Sequence, residues 1–294
     1  MLRGVLALTA LVVNTLWWCS VLFVLALVRL ALPFTGARRV LDPWLNAVAT
    51  TWVGGNSAWM RALHPTQWDV QGIDGLKYRD WYLVLCNHQS WADIFVLQHV
   101  LNRRVPMLKF FIKHELIYVP VIGLAWWALD FPFMRRHSEA ELKAHPEKRQ
   151  QDIDSARRAC AKFALVPTSV MNFVEGTRFT PAKHAAQKPR FKHLLTPKAG
   201  GLAMALSVLG GQFHSLLDVT IVYPDGVPGF WDFMCGRTRR IIVRVQQREI
   251  PADCRSSDSG ELPPAFRKQV LRWLLDLWQQ KDEQIAQLKG VPPP

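Results

Sequence analysis

Tyr82-Leu83-Val84-Leu85-Cys86-Asn87-His88-Gln89-Ser90-Trp91-Ala92-Asp93 joins two patterns of different period. An apolar run rich in strand formers stops at Asn87-His88, and an apolar-periodic run begins at Trp91 and continues to Leu101. The pair predicts a strand that delivers a histidine at its carboxyl end, followed by a helix. On one continuous helix His88 and Asp93 would point roughly 140° apart and could not cooperate. They meet only if His88 lies in the loop and Asp93 in the first turn. Ser90 supplies that break as an N-cap with Asp93 at N3. Ser90-x-x-Asp93 is equally a plain capping box, which by itself carries no chemistry.

A second apolar run, Val170-Met171-Asn172-Phe173-Val174, halts at Glu175-Gly176-Thr177-Arg178, with a glycine that permits a tight turn. Taken alone this is a solvated turn with a surface ion pair. Two strands ending in polar groups belong together in an open α/β sheet, where ligands bind beyond the carboxyl ends. Strands are expected at Trp68–Val70, Pro106–Phe111, Val219–Tyr223 and Ile241–Val245. Helices are expected at Asp152–Leu165, at Ala199–Leu209 opened by Thr196-Pro197, and at Pro264–Leu288, with a capping box at Ser138-x-x-Glu141. This alternation predicts an α/β fold, a mixed sheet flanked by helices.

Upstream, Val5 to Phe34 is almost continuously apolar. A helix over Val5–Val28, at about 1.5 Å per residue, exceeds the roughly 30 Å hydrocarbon core. A signal peptide is the rival, but no small-x-small cleavage site follows. Arg29, Arg38 and Arg39 lie downstream, which places the rest of the chain in the cytoplasm by the positive-inside rule. The segment either spans or re-enters as a hairpin. Pro43–Leu63, broken by Gly54-Gly55, reads as a second helix at the interface or as a core helix. Residues 1–63 are therefore expected to be an N-terminal membrane anchor with an interfacial helix, and residues 64–294 the soluble domain.

With 36 basic and 23 acidic residues the formal charge is +13, which favours anionic partners, nucleic acid or a membrane surface. Thirteen Trp against four Tyr suit a chain that works where apolar and wet regions meet. The five Cys show no CxxC and no metal-ligand spacing with His, so neither a disulfide framework nor a structural metal is expected. Cys86 faces the strand interior on alternation and reads as core.

Asn87-His88-Gln89-Ser90-Trp91-Ala92-Asp93 and Phe173-Val174-Glu175-Gly176-Thr177-Arg178 resemble the NHxxxxD and EGTR signatures of the glycerolipid acyltransferases. Lys109–Leu116, Pro120, Gly123 and Phe133–Arg136 look like that family's second block. Val219–Pro224 resembles the fourth, with Tyr223 where a hydrophobic residue is more usual, and Thr196–Gly200 matches a loop of the lysophospholipid branch. The resemblance covers nearly the whole chain and is nearest to bacterial YihG-type 1-acyl-sn-glycerol-3-phosphate acyltransferases of the PlsC superfamily.

The resemblance implies acyl transfer from acyl-CoA or acyl-ACP (acyl carrier protein) to the free sn-2 hydroxyl of lysophosphatidic acid, giving phosphatidic acid, with no bound cofactor. His88 would be the general base, and Asp93 would hold its tautomer. The acceptor phosphate calls for a guanidinium fork or ammonium groups: Arg178 first, then Lys113 and Arg136, with Lys109 and Arg135 as alternatives. Glu175 would orient the loop or hydrogen-bond glycerol or an arginine. Gly176 would admit the headgroup to the backbone, and Thr177 would add a polar contact. The apolar Ile117–Phe133 could accept the acyl chain. Partners would be the lysophospholipid, the acyl donor and a membrane with anionic lipid, and no nucleic acid. The location implied is the cytoplasmic face of a bacterial inner membrane.

Other readings remain. A different lysophospholipid headgroup fits the same residues. A non-catalytic basic protein tethered to a membrane and binding anionic lipid or nucleic acid fits the charge, but leaves both strand ends unexplained. A lipid hydrolase would need a nucleophile, and no GxSxG is present. A metal site of His88, Asp93 and Glu175 lacks a second nitrogen or sulfur ligand.

Overall fold

Strands buried on both faces need apolar residues at every position, and the middle of this sheet is built from such strands. The computed structural model describes residues 1–134, 166–187, 190–255 and 263–290. In chain order its helices and strands are α1 (Leu2–Ala31), α2 (Thr35–Leu63), β1 (Gln67–Gln71), β2 (Tyr82–Cys86), α3 (Ala92–Leu101), β3 (Leu108–Phe110), β4 (Ile112–Lys113), α4 (Ile122–Ala128), β5 (Phe133–Met134), β6 (Ser169–Asn172), α5 (Pro181–Ala186), α6 (Ala199–Leu209), β7 (Ser215–Val222), α7 (Phe230–Met234), β8 (Arg240–Arg248) and α8 (Pro264–Lys289). The expected Ser138-x-x-Glu141 capping box and Asp152–Leu165 helix lie outside the described residues.

Among the described residues six strands form one mixed sheet in the order β1-β8-β7-β2-β6-β3. β7, β2, β6 and β3 run parallel, so their carboxyl ends share one edge, while β8 is antiparallel to β7 and parallel to β1. β2 sits in the middle with all five residues buried. Strand alternation sends Leu83 and Leu85 to one face, where they join Val170, Leu202, Leu206, Leu274 and Trp278 under α6 and α8. Tyr82, Val84 and Cys86 go to the other face, with Val96, Leu97 and Leu101 of α3 and Trp59 and Met60 of α2.

α1 and α2 are joined by a short connection and pack as a helical pair. Asn14 donates to the Trp52 carbonyl at 2.8 Å and to Asn56 Oδ1 at 2.9 Å, and Trp52 donates to Thr15 Oγ1 at 3.0 Å. The expected break at Gly54-Gly55 does not occur. α2 runs through both glycines and through Pro43, starting at Thr35 rather than Pro43. A Cβ at Gly55 would lie 2.2 Å from Asn14 Oδ1, so the glycine marks where the helices cross, not where one ends. At the turn of the pair Arg29 bonds Asp42 (3.0 Å) and Asp130 (2.9 Å), and Arg38 bonds Asp130 (2.7 Å).

Leu2–Ala31 is, among the described residues, the one helix long and apolar enough to cross a membrane. It is also fastened along its length. Ala7 joins the core beneath α3, and Cys19 and Leu22 pack with Leu45 and Ala49 of α2 and Ala125 of α4. Its other side leaves Val5, Val13, Trp17, Val24 and Leu27 more than half exposed.

Candidate active site

The chain leaves β2 through Asn87, whose buried amide matches a neighbouring backbone. Asn87 Nδ2 donates to the Ile221 carbonyl and Oδ1 accepts the Ile221 N–H, both at 2.9 Å. This fixes the start of the loop to β7. Helical dihedrals begin at Trp91 (φ −58°, ψ −30°), so Ser90 stands outside the first turn and Asp93 within it. Ser90 Oγ accepts the Ala92 N–H at 3.1 Å, and the Ser90 N–H returns to Asp93 Oδ2 at 2.8 Å. The capping box therefore forms, and it holds a carboxylate that also serves the histidine.

Asp93 is fully buried, and its Oδ2 also takes the Gln89 N–H at 2.6 Å and His88 Nδ1 at 2.9 Å. An ionised carboxylate only accepts, so Nδ1 is the donor, and in the neutral ring this leaves the lone pair on Nε2. The ring stacks on Phe173 with centroids 4.0 Å apart. Oδ1 of Asp93 accepts the hydroxyl of Tyr223 at 2.6 Å.

Parallel pairing puts Leu85 opposite Asn172, so His88 and Glu175 stand side by side beyond the two strand ends. Glu175 is buried, and both its oxygens hold backbone: Oε1 accepts the His88 N–H and Oε2 the Leu195 N–H, each at 2.9 Å. Burial pushes its carboxyl up to about 7, against the opposing pull of those two N–H groups. The Phe179 N–H donates to the His88 carbonyl at 2.8 Å, so the peptides on both sides of His88 are held. Gly176 has a φ of 71° and closes the turn with its N–H on the Phe173 carbonyl at 2.9 Å. Thr177 Oγ1 accepts Lys183 Nζ at 2.7 Å. Arg178 lies with its guanidinium carbon 4.7 Å from the centroid of the Trp91 ring, which brings a fixed cation beside the loop that carries His88.

His88, Trp91 and Phe173 open on an apolar cavity of about 340 Å³. Its walls are α3 (Ile94, Gln98), β3 and β4 (Phe110, Ile112), the α4 segment (Ile122, Ala125, Trp126, Leu129, Phe131) and the helical pair (Trp18, Cys19, Leu22, Val48, Ala49, Trp52). Lys113 stands in the cavity lining, largely exposed and 3.3 Å from Glu115. Lys109 is buried on β3 and lines a separate crevice with Arg29 and Asp42. Arg136 and Arg135 lie outside the described residues. Cys86 is wholly buried with its thiol pushed well up by desolvation, a core residue without nucleophilic character. Among the described residues no group of three His, Cys, Asp or Glu is placed to hold a metal ion.

Sequence reasoning did not pick out Asn87, Trp91, Phe173 or the Tyr223 hydroxyl as site groups. Only Tyr223 left a signal, as a phenol at the end of an apolar strand.

The family model described as "Acyltransferase" matches residues 67–224, from β1 to just past β7. The chain is 27% identical over 227 residues to 1-acyl-sn-glycerol-3-phosphate acyltransferase gamma of Homo sapiens, covering 72% of this chain and 54% of the relative. It is 30% identical over 217 residues to 1-acyl-sn-glycerol-3-phosphate acyltransferase 3 of Arabidopsis thaliana, covering 69% and 52%. The chain thus spans about half the length of the curated relatives it matches. Among solved structures, the 1-acyl-sn-glycerophosphate (LPA) acyltransferase PlsC of Thermotoga maritima aligns with a TM-score of 0.54 at 18% identity, over 100% of this chain and 99% of that one, which speaks for the fold.

Proposed function

The chain belongs to the acyltransferase family, and from that premise we propose that it transfers an acyl group from a thioester, acyl-CoA or acyl carrier protein, to the sn-2 hydroxyl of lysophosphatidic acid. The observation that carries the proposal is the His88 Nδ1–Asp93 Oδ2 bond of 2.9 Å at the mouth of an apolar cavity. Asp93 keeps the ring in the tautomer whose Nε2 can accept a proton, and its charge stabilises the imidazolium that results. His88 Nε2 takes the proton of the acceptor hydroxyl as its oxygen bonds to the thioester carbon. The carbon–sulfur bond then breaks, and the imidazolium returns its proton to the departing thiolate. The ledger closes with no enzyme nucleophile: one ester and one thiol are formed.

Arg178, held beside the loop by Trp91, would take the acceptor phosphate, with Lys113 and Arg136 as further cations. The cavity receives an acyl chain, and the relatives named above act on 1-acyl-sn-glycerol-3-phosphate by their names. The apolar outer side of α1 would lie in the membrane, drawn to anionic lipid by the net charge of +13. A bacterial inner membrane, cytoplasmic side, and the YihG-type placement belong to the same proposal and rest on the sequence motifs and on Arg29, Arg38 and Arg39 at the end of α1 and the start of α2.

The test is transfer from oleoyl-CoA to lysophosphatidic acid by membranes carrying the wild-type chain, His88→Ala or Asp93→Asn. Thioester loss matched by phosphatidic acid in the wild type, and absent from both folded variants, is the expected result. Full activity of His88→Ala would remove the base from the mechanism. A wild type active only on another lysophospholipid would replace the acceptor.

A further inference from the structure

We infer that Tyr223 is a positioning residue for the His88–Asp93 pair, acting through its hydroxyl; this rests on the acyl-transfer reading above. β7 lies parallel to β2 with Val219 opposite Cys86, and Val219, Ile221 and Tyr223 all face the side covered by α3. The first turn of α3 carries Asp93, so the residue just past β7 reaches beneath it. There the Tyr223 hydroxyl donates to Asp93 Oδ1 at 2.6 Å, with both side chains buried.

The two oxygens of Asp93 have different duties. Oδ2 gathers three donors: His88 Nδ1, the Gln89 N–H and the Ser90 N–H. Among the described residues Oδ1 has the Tyr223 hydroxyl as its donor. Without the phenol, Oδ1 would be a buried carboxylate oxygen with no donor. The carboxylate would then keep its bond to Nδ1 but lose the contact that pins its far oxygen, so its plane, and the ring bonded to it, would swing from the working position. Tyr223 thus fixes the side-chain torsion of Asp93, and with it the ring of His88. Burial and the Asp93 charge push the phenol well above its ordinary range, so it remains a donor wherever the reaction can run. Phenylalanine would fill the same place in the buried cluster beneath α3. The hydroxyl is there for the carboxylate.

The experiment compares Tyr223→Phe with the wild type, as full-length chains in membranes, by the pH dependence of kcat and kcat/KM with oleoyl-CoA and lysophosphatidic acid. Removing the donor should lower kcat about tenfold, the low end of what a hydrogen bond to a charged group is worth, with KM for both substrates unchanged. It should also move the acid limb of kcat/KM to higher pH, because a carboxylate with one donor fewer holds the imidazolium more strongly. The other groups around the pair are Glu175 at the His88 peptide, Cys86 on β2, Lys281 of α8 with its partner Asp218, and Arg178 on Trp91. All are the same in both proteins, so the difference between the two profiles belongs to the phenol.

A packing role alone would lower the melting temperature and leave the acid limb in place. Placing 3-fluorotyrosine at position 223 keeps the shape and strengthens the donor, and should move the limb to lower pH. An unshifted limb in both proteins overturns the inference. If His88→Ala is inactive while Tyr223→Phe matches the wild type, the inference fails and the reading of the reaction stands. If His88→Ala is active, the reading itself fails.

Discussion

Glu175 grips the peptide of His88, not its ring: Oε1 accepts the His88 N–H and Oε2 that of Leu195, each at 2.9 Å. One buried carboxylate therefore ties the end of β2 to the loop that leads into α6. Its burial raises the carboxyl from an ordinary 4.5 to about 7. Between these values the folded chain binds more protons than the unfolded one. The stability contributed by the protonated form is thus complete below about 4.5 and is lost as pH rises through about 7. The full change is about 3 kcal/mol. Glu175→Gln should remove this decline, so melting curves in detergent from pH 5 to 8 should show a smaller fall for the variant than for the wild type. Equal slopes would place the titration elsewhere.

Arg178 holds its guanidinium over the Trp91 ring, a contact that a planar, delocalised cation makes better than a compact ammonium. Arg178→Ala should raise KM for lysophosphatidic acid about tenfold or more, as expected for one lost charge-assisted contact, with a smaller effect on kcat. Arg178→Lys should recover little of the loss. Initial rates at varied acceptor decide this, and a drop confined to kcat would argue against phosphate binding there.

Ala49 and Ala125 face the same cavity from α2 and α4, both buried. Ala49→Phe should shorten the usable space and favour short donors. Relative kcat/KM for octanoyl-CoA and oleoyl-CoA would then shift toward octanoyl-CoA, while an unchanged ratio would put the donor chain outside the cavity.

Asn87 satisfies both the N–H and the carbonyl of Ile221. Asn87→Ala leaves the buried Ile221 N–H without a partner and its carbonyl with Gln89 Nε2 alone at 3.2 Å, and should cost about 1–3 kcal/mol of stability, the range for one orphaned buried group. The midpoint of denaturant unfolding measures it, and a change below about 0.5 kcal/mol would show that the strand ends are held by other contacts.

The meeting of His88 and Asp93 was legible because the spacing forbids it on a helix and Ser90 offers the break. The shared edge of β2 and β6 was legible because both apolar runs halt at polar residues. β7 was harder to read. Its expected start at Val219 falls four residues late because Asp218 interrupts the apolar run, and its cost of burial is met by Lys281 (2.5 Å) and Arg248 (3.1 Å) from distant parts of the chain. α6 does begin at Ala199, yet Thr196 does not cap it. The Leu195 N–H goes to Glu175 and the Lys198 N–H to the Val174 carbonyl at 2.7 Å, which keeps the chain extended through Lys198. Such tertiary partners leave no trace in local pattern. The role of Gly55 was hidden for the same reason, since its neighbour Asn14 lies on another helix.

The helical pair α1–α2 supplies Trp18, Cys19, Leu22, Val48, Ala49 and Trp52 to the cavity wall. A chain trimmed to residues 64–294 would therefore lose one side of this chamber along with the helix that is long and apolar enough to cross a membrane. On the proposed function, a fatty tail passing from the bilayer into that chamber would exchange one hydrocarbon surrounding for another. It forgoes the roughly 0.8 kcal/mol per methylene that leaving water would supply. Discrimination between tails must then come from length and bend measured against fixed walls, because greasiness alone gives the chamber no preference over the membrane beside it.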